Sequence, residues 1–174
     1  MGYKWLLSRF DGRIGRARYW LATLIIMGAM VSGLRLLSSA CDMQMCIRDS
    51  PGRKLILTNG STDHADKVLE RLGLAAHFEA VFDIIAAELE PKPAPQTYAK
   101  FLRDHQVDPL KSAMFEDLAR NLVVPHRLGM TTVLVVPDGS KEVVREDWEL
   151  EGRDAAHVDH VTDDLTGFLQ KLVA

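Results

Sequence analysis

The sequence predicts an α/β domain with a parallel sheet and flanking helices, preceded by an apolar N-terminal helix. Three observations carry this reading. From Lys54 onward short apolar runs alternate with amphipathic ones, which is how a parallel sheet with covering helices is written. Several of the short runs are continuously apolar, as suits strands buried on both faces. Ahead of them, "YWLATLIIMGAMVSGL" from Tyr19 to Leu34 contains no charged residue.

Along the chain, "KLILT" reads as the first buried strand. Ser61 or Thr62 can cap the helix that follows, where Ala65, Val68, Leu69 and Leu72 form one stripe before Gly73 ends it. "AVFDIIAA" reads as a second strand. "PAPQTYAKFLRDHQ" places proline at a first-turn position and sets Tyr98, Phe101 and Leu102 on one helix face. "SAMFED" is a third strand ending in acids, "LARNLVVPHRLG" a helix stopped by Gly129, and "TTVLVV" a β-branched fourth strand before the turn "PDGS". Residues 141–156 are charged and irregular. "HVDHVTD" offers a short last strand, with His157 and His160 expected at the surface or in turns. "DDLTGFLQKLV" closes the chain as a helix with Leu165, Phe168, Leu169 and Leu172 inward.

Charge divides the chain in two. Residues 1–50 hold seven basic residues against three acidic ones, a net of +4, and since the whole 174-residue chain is −3, the remainder sits at −7. Such asymmetry suggests a segment beside a membrane surface joined to one in cytosol. The uncharged run is shorter than the ~20 residues of a spanning helix, although a snorkelling Arg35 would extend it, and the basic residues before Tyr19 and Trp20 would keep the N-terminus cytoplasmic. Membrane contact is therefore expected through residues 19–37. A cleaved signal peptide and a buried helix of a soluble protein are the competing readings. Cys41 and Cys46 match no metal or redox spacing, which fits a reducing compartment. Residues 1–40 thus read as a basic leader with an apolar segment, 41–52 as an irregular junction, and 53–174 as the α/β part.

In open parallel sheets, ligands lie beyond the carboxyl ends of the strands. Thr58 and Asn59 end the first strand there, Gly60 lets backbone approach a ligand, and the next helix directs its amide-rich N-terminus to the same place. Lys92, between Pro91 and Pro93, supplies a fixed positive charge. Glu116 and Asp117 end the third strand as adjacent carboxylates, which repel unless a cation joins them, and hard oxygen ligands suit magnesium. Asn121, one turn on, can orient them. Together these groups stabilise a phosphoryl group in transfer. The competing roles are a helix cap for Thr58, a solvated loop charge for Lys92, and a dipole-favoured helix start for Glu116 and Asp117.

In that order, "LTNGS", "EPKPAPQTY" and "MFEDLARNL" followed by "PHRLGMTTVLV" resemble the second, third and fourth motifs of the haloacid dehalogenase-like hydrolase superfamily, its pyrimidine 5′-nucleotidase-like phosphatases above all. The likeness spans about residues 53–174. It implies a Rossmann-like core, with Thr58, Asn59 and Gly60 binding phosphate and Lys92 neutralising both phosphate and nucleophile as the catalytic lysine. It also implies that Asp117 ligates Mg2+, with Glu116 assisting directly or through water, and Asn121 behind them. Leu118 stands where many relatives have serine. A small phosphorylated molecule such as a nucleoside monophosphate is the implied ligand, and no nucleic acid is expected.

The superfamily's first motif, an apolar strand followed by Asp-x-Asp, finds no counterpart ahead of Leu55, so no nucleophile is assigned. Asp11 has no apolar strand before it and no second acid two residues on. Because that strand lies mid-sheet in the superfamily, the core is expected to be incomplete, lacking first strand and cap. The run from Leu24 to Val31 is the candidate to enter the slot, without bringing a carboxylate. "RFDGRIGRARYW", Arg9 to Trp20, resembles the opening of a family of small bacterial inner-membrane proteins of unknown function. "DMQMCIRDS" resembles translated junction DNA, so the chain reads either as a chimera of two gene pieces or as two segments joined by an ordinary linker.

Overall fold

The computed structural model describes residues 19–22, 45, 47–50, 52–136 and 152–173. Its strands are β1 (Tyr19–Ala22), β2 (Arg53–Leu57), β3 (Ala80–Phe82), β4 (Ala113–Glu116), β5 (Thr131–Val135) and β6 (His160–Thr162). The helices are α1 (Thr62–Arg71), α2 (Pro95–Asp104), α3 (Val123–Arg127) and α4 (Leu165–Val173), and 3-10 turns cover Ala75–His77, Pro109–Lys111 and Ala119–Leu122. All strand pairs are parallel, in the order β3-β2-β1-β4-β5-β6.

Strand alternation splits the core into two layers. Ile56, Phe115, Val133 and Val135 pack with Val68 and Leu69 of α1 and Phe168 and Leu169 of α4. Leu55, Leu57, Met114 and Leu134 pack with Tyr98 and Phe101 of α2 and with Leu122. Leu55, Ile56 and Leu57 are each fully buried, as a central strand covered on both faces requires. The predicted apolar faces of α1, α2 and α4 are the faces used, with Ser61 capping α1 by accepting from the His64 amide. His160, expected at the surface, instead lies buried in β6 against Phe168, their ring centroids 6.0 Å apart.

The centre of the sheet differs from the sequence expectation. The slot between β2 and β4 is taken by Tyr19–Ala22: Tyr19 pairs with Arg53, Trp20 with Lys54, Leu21 with both Leu55 and Met114, and Ala22 with Phe115. These four residues, read as the start of an apolar helix, are a strand. An empty slot would leave the inner backbone edges of β2 and β4 buried and unbonded, and a short apolar stretch rich in strand-favouring residues satisfies both. The rest of the 19–37 run, including Leu24 to Val31, lies outside the described residues. Among the described residues no helix is long and apolar enough to cross a membrane. Within the junction, Met45 and residues 47–49 are helical, and Ile47 is buried in the core. Ser50 is buried beside it, its hydroxyl donating to the Ile47 carbonyl at 2.8 Å.

β3, predicted over "AVFDIIAA", is shorter than its apolar run because Asp83 turns the chain. Its Oδ2 accepts from the Thr62 amide (3.0 Å) and hydroxyl (2.8 Å), and its Oδ1 from the amides of Ile85 (3.0 Å) and Ala86 (2.8 Å). The carboxylate so ties the turns at 84–89 to the start of α1. Those bonds, the Ala86 amide first, hold the Asp83 carboxyl below its ordinary range. A depressed folded value means the stabilisation is complete above the unfolded value of about 4 and disappears as pH falls through the folded one. Asp83→Asn is expected to cost about 2 kcal/mol at pH 7, on the order of 6 °C in melting temperature. In urea titrations the gap to wild type should narrow steadily below pH 4, and a gap independent of pH would refute the assignment.

Candidate functional site

At the carboxyl ends of β2 and β4, three loops meet around one lysine. Lys92 is buried, with its side chain 5% exposed. Its ammonium donates to the Leu57 carbonyl at the end of β2 (3.0 Å) and to Glu116 Oε1 at the end of β4 (2.5 Å). These strands are not neighbours, since β1 lies between them, so the ammonium bridges the two sides of the central strand.

Glu116, 1% exposed, accepts from three donors and also lies beside the Asp117 carboxyl. Oε1 also accepts from Asn121 Nδ2 (3.0 Å), and Oε2 accepts from the Asp117 amide (3.1 Å). Burial pushes the Glu116 carboxyl above its ordinary range, the adjacent Lys92 ammonium opposes that shift, and the Asp117 carboxyl adds to it. Asn121 is itself buried and fixed from α2, where the Tyr98 hydroxyl donates to its carbonyl at 2.8 Å. Burial, with the Glu116 charge nearby, raises the Tyr98 hydroxyl and keeps it a neutral donor. Asn121 Oδ1 is a buried acceptor with no hydrogen-bond partner among the described residues.

On the β2 side, the Thr58 amide donates to Phe82 (3.0 Å), and Thr58 Oγ1 accepts from the Gly60 amide (3.0 Å). The threonine is half-buried. A β-carbon at Gly60 would stand 3.4 Å from that hydroxyl oxygen, in ordinary van der Waals contact. Asn59 is exposed, and its amide is engaged twice with Lys92: Oδ1 accepts from the Lys92 N–H (2.7 Å) and Nδ2 donates to the Lys92 carbonyl (3.3 Å). The start of α1 is less open than expected, because Asp83 takes the Thr62 amide and Ser61 the His64 amide.

The structure thus brings together Thr58, Asn59, Gly60, Lys92, Glu116, Asp117 and Asn121, all predicted from sequence, with Asn59 and Glu116 bonded to Lys92. Sequence reasoning missed the Leu57 carbonyl, which has no side-chain signature. It also missed Tyr98, whose place in an apolar helix stripe conceals its hydroxyl. The only usable hint of a strand at Tyr19–Ala22 was its aromatic pair.

Among the described residues no group of three or more His, Cys, Asp or Glu side chains is placed to hold a metal ion. The oxygen chemistry fits magnesium in part. Asp117 is a half-buried carboxylate and Asn121 Oδ1 a buried acceptor needing a partner, whereas Glu116 is committed to Lys92. Magnesium keeps several waters and binds through one or two carboxylates, so the Asp117 carboxylate with waters is a workable set. β1 ends in Ala22, is followed in sequence by Thr23 and Leu24, and contributes no carboxylate.

The haloacid dehalogenase-like hydrolase profile matches residues 32–123. Among solved structures, the chain resembles the L-2-haloacid dehalogenase from Xanthobacter autotrophicus, with TM-score 0.59, 19% identity, 73% of this chain and 58% of that one. It also resembles a predicted phosphoglycolate phosphatase from Haemophilus somnus, with TM-score 0.58, 15% identity, 79% of this chain and 56% of that one. A haloacid dehalogenase-like hydrolase from Streptococcus pneumoniae gives TM-score 0.55 at 14% identity, 75% of this chain and 57% of that one. At these identities the likeness is one of fold. The chain spans less than three fifths of the length of these proteins. Among curated proteins none matches it.

Proposed function

The chain belongs to the haloacid dehalogenase-like hydrolase family, and from that premise we propose that it binds the phosphoryl group of a small phosphomonoester, with magnesium, and does not turn it over alone. The observation that carries the reading is the buried Lys92 ammonium at the junction of the β2 and β4 ends. An ammonium has three donors. Two are bonded to Leu57 and Glu116, and the third serves an anion.

Thr58 supports the same ligand. Its oxygen accepts from Gly60, which leaves the hydroxyl hydrogen as a donor toward phosphate. Asp117 would hold magnesium, with Asn121 Oδ1 accepting from a water of its shell; when bound, the ion offsets charge on the phosphate oxygens. Nucleoside monophosphates are the proposed ligand class, by the motif likeness to pyrimidine 5′-nucleotidase-like phosphatases. The lack of turnover follows from a central strand, Tyr-Trp-Leu-Ala, that carries no attacking carboxylate.

Titration of the full chain with a nucleoside monophosphate, with and without Mg2+, tests this by calorimetry and phosphate release. Magnesium-dependent binding without release is expected, weakened about tenfold or more in Lys92→Ala. Absence of binding would sink the reading, and phosphate release by the pure chain would sink the claim of inactivity.

A second reading, turnover when another chain supplies the carboxylate, draws on the shortness of β1, whose four residues pair with Arg53, Lys54 and Leu55 of β2 and with Met114 and Phe115 of β4. On the charge asymmetry, the membrane-facing role is proposed for the basic residues ahead of Tyr19, while Tyr19–Ala22 itself belongs to the sheet of the cytoplasmic α/β part. Solubility of the full chain without detergent would count against it.

A further inference from the structure

We infer that Asn59 and Glu116 are positioning residues that fix the two ends of Lys92, so that Glu116 serves the lysine and leaves the cation to Asp117. This rests on the phosphoryl-binding reading and deepens it.

Lysine is a point charge on a flexible four-carbon stem, so an ammonium acts at a defined point only if both its backbone and its head are held. Asn59 holds the backbone. Its single amide closes a reciprocal pair with the Lys92 N–H and carbonyl, tying the loop after β2 to the loop before α2. The bonded groups are the main-chain N–H and carbonyl of Lys92, itself 7% exposed, so the exposed Asn59 side chain also satisfies the backbone of a buried residue. What Asn59 adds is a fixed distance between Thr58, its chain neighbour, and the lysine.

Glu116 holds the head. Its carboxylate accepts from Lys92, Asn121 and the Asp117 amide, and those donors come from three directions. The Tyr98 hydroxyl braces Asn121 in turn, so the lysine head is referenced to α2 as well as to β4. A carboxylate engaged in this way, with 2% of its side chain exposed, is poorly placed to bind a hydrated cation. The adjacent acids are thereby divided in role. Asp117 is the more exposed of the two.

The test uses the full chain, with inorganic phosphate as probe and the 1H–15N correlation of the Lys92 ammonium as a second readout. In wild type the Lys92 signal should be protected from exchange and should shift with phosphate. Asn59→Ala should still unfold cooperatively at a modestly lower temperature, broaden the Lys92 signal, and weaken phosphate binding about tenfold. Glu116→Gln should weaken phosphate binding equally with and without Mg2+, whereas Asp117→Asn should remove only the magnesium-dependent part.

If Asn59→Ala leaves both signal and affinity unchanged, the positioning role is overturned. If Glu116→Gln abolishes the magnesium effect alone, Glu116 is a metal ligand and the division of roles is overturned. Should Glu116→Gln fail to fold, the exposed Asn59→Ala still decides the lysine claim. Should wild type bind no phosphate while Asn59→Ala still broadens the Lys92 signal, the ligand reading falls and the positioning role stands.

Discussion

Leu21→Pro is expected to abolish cooperative unfolding of the α/β domain. Leu21 is the residue of β1 that pairs on both sides, with Leu55 of β2 and Met114 of β4. Proline at such a point removes a backbone donor from the middle of a sheet and forces the chain off strand geometry, at a cost of about 3 kcal/mol or more. That is a large part of the roughly 5–15 kcal/mol that holds a domain together. The inner edges of β2 and β4 would also be exposed, so aggregation is expected to accompany the loss. Leu21→Val, which keeps strand propensity, is the control. Thermal unfolding followed by circular dichroism separates the alternatives. If residues 1–40 were an independent leader, Leu21→Pro would leave the transition where it is.

The second large effect concerns the buried pair. Glu116→Leu leaves the Lys92 ammonium buried with the Leu57 carbonyl as its remaining partner of the two, and Lys92→Met leaves a buried carboxylate without its cation. Each single change is expected to cost about 3–5 kcal/mol in urea denaturation. The double variant should lie within about 2 kcal/mol of wild type, because an apolar pair of similar volume removes both desolvation penalties at once. It should nevertheless bind no phosphate, which separates the pair's role in binding from its role in stability.

The pH dependence of Lys92→Met has a definite sign. Burial already raises the Glu116 carboxyl, and losing the lysine raises it further. A raised folded value means the destabilisation is absent below the unfolded value of about 4 and grows as pH rises through the folded one. The variant should therefore approach wild-type stability in acid. Additive single losses, or a deficit that persists at low pH, would show that the two groups are not coupled.

Much of the architecture was legible because local signals agreed with one another. The alternation of apolar runs located β2, β4, β5 and β6, and the stripes in α1, α2 and α4 are the faces that pack. β3 is shorter than its apolar run. "DIIAA" continues its apolar character, but Asp83 has enough donors within reach to turn the chain at once. The 3-10 turn at Ala119–Leu122 was absorbed into a predicted helix because its apolar residues share the spacing of α3.

Within the candidate site, residue types told which side chains would gather and not which would bond. Asn59 is expected to bind phosphate and Glu116 to assist the metal, and the structure adds that both are bonded to Lys92. Spacing along the chain does not encode that, since 33 residues separate Asn59 from Lys92 and 24 separate Lys92 from Glu116.

By itself the sequence determined the α/β class, the helix faces and the list of polar groups at the strand ends, because these follow from local periodicity and from the chemistry of single side chains. Only the tertiary structure decided what enters the centre of the sheet and which partner each polar group takes. Tyr19–Ala22 is a strand because two buried backbone edges, brought together from distant segments, need their hydrogen bonds satisfied. Pairing across space answers to the whole fold, and four residues of local propensity cannot announce it.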